Sequence, residues 1–425
     1  MDKRTFIKNA GLIGLGGMLS FEGLAEMVEK VSSVPLDEIA GDEDFWAAIR
    51  QGYRLKPDYI NLENGYYNFL PEQLLEKYIG HIREVNLQGS YYMRTVQFEN
   101  KKAMAAKLAA LAGCPADELI ITRNTTESLD MIIAGFGWKE GDEAIVAEQD
   151  YPAMLDMFSQ VSKRHKIVVK YVSVPNHPAS DEDIVNLYAG TITEKTKLLM
   201  VCHMINITGQ ILPVRKICDM AHSRGVQVMV DGAHTFAHIK FTIPELGCDY
   251  FGTSLHKWLS VPLGSGFLWV RKDRIAGIWP LIAEGERAPD DISRLNHIGT
   301  HPAPTDLTIA DSIDFYNLIG AERKESRLRF LKEYWVSKVR KLPNIIINTP
   351  DDPARSCGIA NVGVKGMKPG DLGDVLHKKY RIYCAPIDGA NVHGCRITPN
   401  IYTTTTDLDV LVGALTELNA NPVKN

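Results

Sequence analysis

The chain has 425 residues, of which 45% are hydrophobic, and its formal net charge is −5 at pH 7. This length predicts more than one domain with a large core, and a nearly neutral chain argues against nucleic acid as the main partner. The seven cysteines form no CxxC pair, and no apolar run reaches the ~20 residues of a membrane-spanning helix. These features exclude fibrous, disordered, disulfide-rich and integral-membrane classes and favour an α/β enzyme.

The first thirty residues have the pattern of an export signal. A basic segment, Lys3–Lys8, precedes an apolar, glycine-rich stretch from Ala10 to Phe21. The segment resembles the twin-arginine export consensus, with lysine in place of the first arginine. We therefore predict an export signal over residues 1–30 and a periplasmic location, with cleavage near Leu24, although no A-x-A site is present. The alternative is an amphipathic N-terminal helix of a cytoplasmic protein.

Strands and helices alternate through the middle of the chain. A helix is predicted over Phe98–Ala112, because apolar residues recur at helical spacing and Gly113 follows as a C-cap. Several of the strands predicted next are nearly continuous apolar runs, which are typical of parallel strands covered on both faces. The pattern predicts a doubly wound α/β domain over residues 75–300. The predicted strands are Glu118–Thr122, Glu143–Ala147, Ile167–Val172, Lys197–His203, Gln227–Asp231, Tyr250–Ser254 and Gly266–Val270.

A smaller α+β domain is predicted over residues 301–425. The chain is helical and charged from Asp306 to Lys341. Mixed strands and helices then fit a separate small unit. The predicted elements are strands at Ile345–Asn348, Gly358–Val364 and Ile382–Cys384 and a closing helix at Asp407–Leu418.

The most informative segment is Phe251–Trp258, in which an apolar strand leads Ser254, His256 and Lys257 into a turn. A lysine beside apolar and aromatic residues can have its pKa lowered by desolvation, which makes it a candidate Schiff-base nucleophile. The simpler alternative is a surface lysine after a strand, which is the commoner case for a single lysine.

A carboxylate follows another apolar strand 26 residues upstream of Lys257. Asp231 ends the strand that contains Val228–Val230, and ligands bind at the carboxyl ends of strands in open α/β sheets. A carboxylate in that position is a suitable partner for a protonated pyridine nitrogen, because its charge keeps the ring cationic.

Two further strands lead into polar segments. One leads into Asn206–Gly209, and the other leads into Arg123–Ser128. In the second segment, hydroxyl groups and free N–H groups at the start of a helix predict an anion site.

Five motifs together resemble one enzyme family: Asn124–Ser128, Asn206–Gly209, Val230–His234, Ser254–Lys257 and Arg396–Pro399. Their order and spacing resemble the class V aminotransferases, which include cysteine desulfurases, kynureninases and isopenicillin N epimerase-like proteins. Glu148–Ala153 and Asn400–Thr404 resemble the isopenicillin N epimerase-like branch most. The resemblance implies the fold type I of pyridoxal 5'-phosphate enzymes. That fold has a large domain with a mostly parallel seven-stranded sheet and a smaller α+β C-terminal domain.

The resemblance also implies a role for each motif residue. Lys257 would hold the cofactor as an aldimine and move the α-proton of an amino-acid substrate, and Asp231 would pair with the pyridine nitrogen. Tyr151 would stack on the ring, and Arg396 would bind the substrate α-carboxylate. The implied contacts to the ring hydroxyl are Asn206 and His234, and those to the phosphate are Thr125, Thr126, Ser254 and His256.

The resemblance also implies a contact between subunits and a role for the N-terminal segment. Thr300 would reach the phosphate of the other subunit, so a homodimer with active sites at the interface is expected. The N-terminal segment, residues 31–74, would join the small domain and bring Asn64 to the active site as a candidate substrate contact. Tyr66 could line the substrate pocket or the subunit interface.

Two motifs have competing interpretations. His234 and His238 have the HxxxH spacing of a metal site, but no third ligand is suggested nearby and His234 already has an implied role. Cys384 could serve as the nucleophile of a cysteine desulfurase, which needs a thiolate on a mobile loop. Cys384 instead follows directly on an apolar strand, and the loop before Arg396 looks too short.

The implied reaction is less determined than the cofactor. Loss of the α-proton gives one carbanion, which can be reprotonated as an epimer, reprotonated on the cofactor in transamination, or relieved by β-elimination. We expect an epimerase or aminotransferase, with a C–S β-lyase or cysteine desulfurase as the alternative.

Overall fold

The computed structural model describes residues 21–283 and 285–420, and strands alternate with helices through most of them. The strands are β1 (Ile60–Asn61), β2 (Leu119–Thr122), β3 (Glu143–Ala147), β4 (Val168–Val172), β5 (Thr196–Cys202), β6 (Gln227–Asp231), β7 (Tyr250–Ser254), β8 (Gly266–Val270), β9 (Ile345–Ile347), β10 (Ala360–Val364), β11 (Ile382–Tyr383), β12 (Ala385–Gly389) and β13 (Val392–Ile397). The helices are α1 (Phe21–Lys30), α2 (Leu36–Ala40), α3 (Glu43–Arg50), α4 (Glu72–Gln88), α5 (Gln97–Ala112), α6 (Thr125–Gly135), α7 (Pro152–His165), α8 (Asp181–Ala189), α9 (Val214–His222), α10 (Ile243–Leu246), α11 (Ala303–Ile319), α12 (Ala321–Val339), α13 (Pro369–Tyr380) and α14 (Thr405–Ala420).

One seven-stranded sheet has the order β2-β8-β7-β6-β5-β3-β4. β8 pairs antiparallel with β2 and β7, and the other neighbours pair in parallel. Each of the seven strands predicted from apolar runs is present within one residue at either end. The predicted α/β fold with a mostly parallel seven-stranded sheet is therefore confirmed.

The sheet separates two layers of core. In β6, Val228 and Val230 pack into one apolar cluster and Met229 packs into the other, because successive side chains of a strand point to opposite faces. Because both faces of the sheet are covered, the sequence of β6 does not alternate between apolar and polar residues. Since β5, β6 and β7 are parallel neighbours, their carboxyl ends meet at one edge of the sheet, where Asp231 and Ser254 lie.

The second sheet is antiparallel, with the order β12-β13-β10-β9. Its apolar face packs with residues of α12 and α14 in a separate core. The hairpin β12–β13 was not among the predicted strands. It turns at Ala390 and Asn391, both in the left-handed region with φ of 50° and 61°, and it carries Arg396. Helix α11, which precedes this unit in the chain, packs on α4 and α5.

The N-terminal segment runs along this second unit. β1 pairs in parallel with β11, and a parallel bridge joins Glu63 to Thr398. These pairings bring residues 63–66 close to Arg396, 333 residues away in the chain.

The predicted export signal is only partly within the described residues. The basic segment Lys3–Lys8 and the apolar stretch up to residue 20 lie outside them. Residues 21–30 form α1, in which Leu24 is buried and Phe21 meets the ring of Phe315 edge-on at 6.2 Å. The predicted cleavage point therefore falls within a helix that packs on α11. Across residues 21–283 and 285–420, no helix has both the length and the apolar character needed to cross a membrane.

Candidate active site

A cavity of about 270 Å³ lies at the carboxyl edge of β5, β6 and β7. Larger clefts of about 580 and 760 Å³ lie elsewhere and contain neither Lys257 nor Asp231, so volume alone does not identify the site. Ten of the predicted site residues line the smaller cavity: Thr125, Thr126, Tyr151, Asn206, Asp231, His234, Ser254, His256, Lys257 and Arg396.

Lys257 lies in the turn that follows β7. The turn is held by a hydrogen bond from Leu255 N–H to the carbonyl of Ser265 and by the fully buried Trp258. Withdrawal of the ammonium group from water lowers the pKa of Lys257 to about 8; the Asp231 carboxylate opposes this shift and the Arg396 guanidinium adds to it. With a pKa of about 8, about a tenth of Lys257 is an uncharged amine at pH 7 and about half at pH 8.

His234 is the group closest to this amine. Its Nε2 lies 3.2 Å from Lys257 Nζ, and its Nδ1 accepts a hydrogen bond from the indole N–H of Trp258 at 3.4 Å. Burial, with the nearby Lys257 charge, holds the pKa of His234 well below its ordinary value, so the ring is neutral. Because Nδ1 is an acceptor, the proton is on Nε2 and points at Lys257.

His238 packs beside His234 and Trp258, and its ring nitrogens bond to backbone groups. It stacks on Trp258 with ring centroids 3.6 Å apart. Its Nε2 accepts the backbone N–H of Gly358 at 2.8 Å, and its Nδ1 donates to the carbonyl of His234 at 2.7 Å. Both nitrogens of His238 are thus engaged. Within the part of the chain that the structure describes, no group of three or more His, Cys, Asp or Glu side chains could hold a metal ion.

Asp231 is 4% exposed at the end of β6. Its Oδ1 accepts the backbone N–H of Ala233 at 2.8 Å. Burial raises the pKa of Asp231, while the Ala233 N–H and the Lys257 charge lower it. A positive group placed in the cavity would therefore stabilise the carboxylate strongly, because water screens charges little at a buried site.

An anion-binding group of donors lies at the start of α6. Asn124 caps the helix by accepting the N–H of Glu127, so its side chain does not occupy the N–H groups of Thr125 and Thr126. Ser254 Oγ contacts both the N–H and the hydroxyl of Thr125, at 2.8 and 2.7 Å. His256 Nδ1 is buried and has no hydrogen-bond partner among the described residues. An anion at this helix terminus would be held by N–H groups, hydroxyls and the helix dipole together.

Arg396 reaches the cavity from β13. Its side chain forms a buried ion pair with Glu63, through Nη2 to Oε1 and through Nε to Oε2 at 3.2 Å. Its Nη1 donates to the backbone carbonyl of Asn206 at 3.3 Å. Glu63 was missed by the sequence reasoning, because only the parallel pairing of a short N-terminal strand brings it to the site.

Two predicted site residues do not line the cavity. Asn64 is fully buried: its Nδ2 donates to the carbonyl of Thr398 at 2.7 Å, and its Oδ1 accepts from the amide of Asn61 and the hydroxyl of Tyr402. The structure therefore does not bring Asn64 to the cavity; its amide fastens the N-terminal segment to the small unit. Thr300 is exposed next to the cleft of about 760 Å³, and its contact with a second subunit stays a prediction.

Residues that were not predicted as site residues also line the cavity. Gly65 and Tyr66 line the cavity in place of Asn64. Cys202, at the end of β5 and paired with Asp231 in register, also lines it. Periodicity gave no signal for Cys202, because it ends a continuous apolar run.

Comparison with known proteins identifies the family. The family model for aminotransferase class-V matches residues 70–411. The chain belongs to the class V aminotransferases. An isopenicillin N epimerase of Streptomyces clavuligerus is 25% identical over 391 residues, covering 88% of this chain and 98% of the relative. A cysteine desulfurase of Haloferax volcanii is 24% identical and covers 75% and 78% of the two chains. The apo structure of a cysteine desulfurase from Thermococcus onnurineus NA1 has a TM-score of 0.77 at 19% identity, covering 88% and 97%.

The cofactor of class V aminotransferases, pyridoxal 5'-phosphate, fits the residues of this cavity. Lys257 provides an amine of lowered pKa, and Asp231 provides a buried carboxylate for a pyridine nitrogen. The donors at the start of α6 and the unpartnered His256 Nδ1 suit the phosphate. The chain is thus a pyridoxal-phosphate enzyme of this family.

Proposed function

We propose that this class V enzyme takes an α-amino acid as substrate and moves the proton on its α-carbon, with epimerisation or amino transfer as the outcome. The observation that carries the proposal is one cavity that contains Lys257, Asp231 and Arg396. The first is a base, the second a partner for a cationic ring and the third a carboxylate receptor. The epimerase of S. clavuligerus, which aligns over nearly its whole length, supports the epimerase-type outcome.

Lys257 is the base in this proposal. Bound pyridoxal phosphate supplies an electron sink that weakens the bonds to the substrate α-carbon. Lys257 Nζ takes the α-proton and returns it, and a pKa near 8 suits that task near neutral pH. The Nε2–H of His234 donates toward the Nζ lone pair and keeps the amine oriented in its uncharged form.

Asp231 and Arg396 fix the two ends of the reacting group. Asp231 holds a proton on the pyridine nitrogen, because a buried carboxylate is stabilised by an adjacent positive charge. Arg396 offers a planar set of N–H donors that matches a carboxylate in geometry and charge. The substrate is thereby oriented with its α-carbon toward Lys257, which removes the proton from that face. Amino transfer needs only this base, whereas epimerisation also needs an acid that delivers a proton to the opposite face.

A C–S β-lyase or cysteine desulfurase is the alternative, and the desulfurase relatives support it. Persulfide formation needs an accessible thiolate. Cys384 is 6% exposed in the apolar core of the small unit and does not line the cavity. Cys202 lines the cavity, but burial raises the pKa of its thiol well above the ordinary value, and its Sγ donates to the carbonyl of Met204. These observations favour proton movement over sulfur transfer.

The proposal includes a homodimer. Several large apolar side chains near the cavity and the cleft beside Thr300 are exposed, which is unusual for a free surface. Tyr66 is 72% exposed and Leu263 is 60% exposed, and both line the cavity; Phe98, 62% exposed, lines the cleft. In this proposed dimer, Thr300 of each copy contacts the phosphate bound by the other.

Export through a twin-arginine-type signal is also part of the proposal, and the basic and apolar N-terminal pattern supports it. Fractionation of cells, with the wild-type chain and a variant in which Lys3 and Arg4 are both replaced by Gln, tests it. Wild-type protein in the periplasm and variant protein in the cytoplasm would support export. Wild-type protein confined to the cytoplasm would contradict it.

The reaction is tested by proton NMR of the loaded enzyme with a panel of L-amino acids in heavy water, without a keto acid. Loss of an α-proton signal while the amino acid persists supports the proposal, and a chiral assay separates epimerisation from simple exchange. Lys257→Ala is the control and should abolish exchange. Conversion of an amino acid to a keto acid with ammonia or a thiol would instead establish β-elimination. Sulfide release from cysteine that disappears in Cys384→Ala would establish a desulfurase.

A further inference from the structure

The ion pair between Glu63 and Arg396 is the most buried contact between opposite charges at the cavity. The side chains are 7% and 8% exposed. Glu63 Oε1 also accepts the backbone N–H of Tyr66 at 3.0 Å, so the carboxylate is fixed from two sides. Glu63 itself does not line the cavity, whereas Arg396 does. The carboxylate therefore lies behind the guanidinium as seen from the cavity.

The edges of the guanidinium are occupied unequally. The edge formed by Nε and Nη2 faces Glu63, and Nη1 donates to the Asn206 carbonyl at 3.3 Å. A guanidinium has five N–H donors, and these contacts use three of them. The remaining donors belong to Nη1 and Nη2, which share the end of the group. That end is the part of Arg396 still able to bind a carboxylate in a bidentate manner.

One face of the guanidinium lies flat against Gly65. A Cβ atom at this position would lie 3.0 Å from Arg396 Cζ, 3.1 Å from Nη2 and 3.2 Å from Nε. Such contacts are tighter than ordinary van der Waals packing. The glycine therefore permits the close approach, and the planar group is fixed both in its plane, by Glu63 and Asn206, and perpendicular to it, by Gly65.

We propose that Glu63 is a positioning residue that turns the free end of Arg396 toward the substrate carboxylate and thereby sets the preference of the site for amino acids over amines. The inference rests on the proposed function, because it assigns Arg396 to the α-carboxylate. Without Glu63, the long arginine side chain keeps its charge but loses the contact that selects one rotamer. Binding of a carboxylate then has to order the side chain again, and affinity falls.

The test uses the loaded enzyme and pairs of probes that differ only in the carboxylate. L-Phenylalanine and phenethylamine, and L-alanine and ethylamine, are titrated while the visible absorbance of the bound cofactor is followed. The variants are Glu63→Gln, which keeps the shape and removes the charge, and Glu63→Asp, which keeps the charge on a shorter arm. Glu148→Gln is the matched control, because it removes an exposed carboxylate that does not line the cavity.

Glu63→Gln is expected to weaken binding of the amino acids about tenfold or more, because a charge-assisted contact is lost, and to change amine binding less than about twofold. Glu148→Gln should match the wild type for every probe. Equal weakening for amino acids and amines would overturn the inference, since it would indicate general disruption. Tighter amino-acid binding would also overturn it, because Glu63 would then be a competitor of the substrate.

Two further outcomes are distinguishable. Should Glu63→Gln not fold, Glu63→Asp carries the test: weaker amino-acid binding with unchanged amine binding supports the inference, and unchanged amino-acid binding overturns it. A wild-type enzyme whose spectrum responds to none of the amino acids would contradict the proposed function itself. That failure is recognised in the wild type, before any variant is compared.

Discussion

Trp258 donates its indole N–H to Nδ1 of His234 at 3.4 Å, on the side of the imidazole away from Lys257. An indole nitrogen can only donate, so this bond assigns the acceptor nitrogen of a neutral histidine. The opposite nitrogen, Nε2, then carries the proton and faces Lys257 Nζ at 3.2 Å. If Lys257 were charged, two donors would face each other. Trp258, the residue after Lys257, thus favours the uncharged amine of Lys257 through its hydrogen bond to His234.

The first prediction concerns the pH at which Lys257 reacts. Its pKa is lowered to about 8 by burial, and only the uncharged amine attacks an aldehyde. The rate at which cofactor-free enzyme captures added pyridoxal phosphate should therefore rise with pH through a midpoint near 8. Absorbance in stopped-flow mixing measures this rate. Lys240→Met, on an exposed lysine, is the control and should leave the profile unchanged. A midpoint near the ordinary lysine value would refute the assignment.

Trp258→Phe should move that midpoint upward. The change keeps most of the ring but removes the donor to His234 Nδ1, so the proton is no longer fixed on Nε2 and the uncharged amine loses its hydrogen bond. Nitrogen NMR of histidine-labelled protein should show a larger fraction of the Nδ1–H tautomer. Trp46→Phe removes a comparable indole bond, to the carbonyl of Ile39, and should affect stability alone. Unchanged histidine shifts in Trp258→Phe would contradict the tautomer argument.

Asn64→Ala is expected to destabilise the protein without changing substrate affinity. The side chain makes three hydrogen bonds, a partly buried one with Asn61 and buried ones with Thr398 and Tyr402. Their loss should lower the free energy of unfolding by about 2–4 kcal/mol, while KM changes less than about twofold. Urea denaturation and substrate titration measure the two quantities, with the exposed Asn186→Ala on α8 as control. A large rise in KM at normal stability would restore the direct substrate contact.

Much of the large sheet could be predicted from the sequence because its strands are buried on both faces. A short continuous apolar run such as Val228–Val230, bounded by polar residues, is typical of a strand covered by helices on each side. Lys257 and Asp231 could be assigned for the same reason, since each follows directly on such a run and parallel neighbours end at one edge. The end of α5 and the start of α6 also depend on local sequence. Gly113 ends α5 in a left-handed conformation, and Asn124 caps the first turn of α6.

The features that were missed depend on contacts between distant segments. β12 contains Pro386 and Gly389 and is largely exposed, so neither composition nor alternation indicates a strand. The pairing of Glu63 with Arg396 spans 333 residues and follows from a two-residue strand, β1. Asn64 was assigned to the substrate from its position in a motif, but a shift of one residue along an extended chain moves a side chain to the opposite face.

Lys324 provides a prediction about stability and pH. It is 5% exposed, donates to the carbonyl of Trp258 and has no carboxylate partner among the contacts described, and burial lowers its pKa to about 7. Its unfolded pKa is near the ordinary value of about 10.4, so the unfolded chain binds the extra proton and the charged lysine destabilises the fold most below pH 7. This destabilisation should diminish as pH rises from about 7 to about 10.

Lys324→Met should therefore raise the free energy of unfolding at pH 7 by about 2 kcal/mol, because removal of a buried charge exceeds the loss of one hydrogen bond. The advantage over the wild type should shrink at pH 10. Urea unfolding at both pH values measures the difference, with the exposed Lys338→Met as control. A stabilisation that is the same at both pH values would show that the ammonium is not the cause.

The last prediction separates two buried carboxylates, Asp150 just after β3 and Asp231 at the end of β6, on the two strands that flank β5. Asp150 accepts the N–H of Ala147 at 2.8 Å, and burial, with a contribution from Asp231, raises its pKa to about 8, so it is largely protonated at pH 7. Asp231 faces the cavity and would be held ionised by a cationic pyridine ring. Asp231→Asn should therefore lower the rate of α-proton exchange at least about a hundredfold. Asp150→Asn, which replaces a neutral acid with a neutral amide, should stay within a few-fold. Exchange rates from NMR, together with the absorbance of bound cofactor, measure both effects, and equal losses in the two variants would contradict the assignment of Asp231 to the pyridine nitrogen.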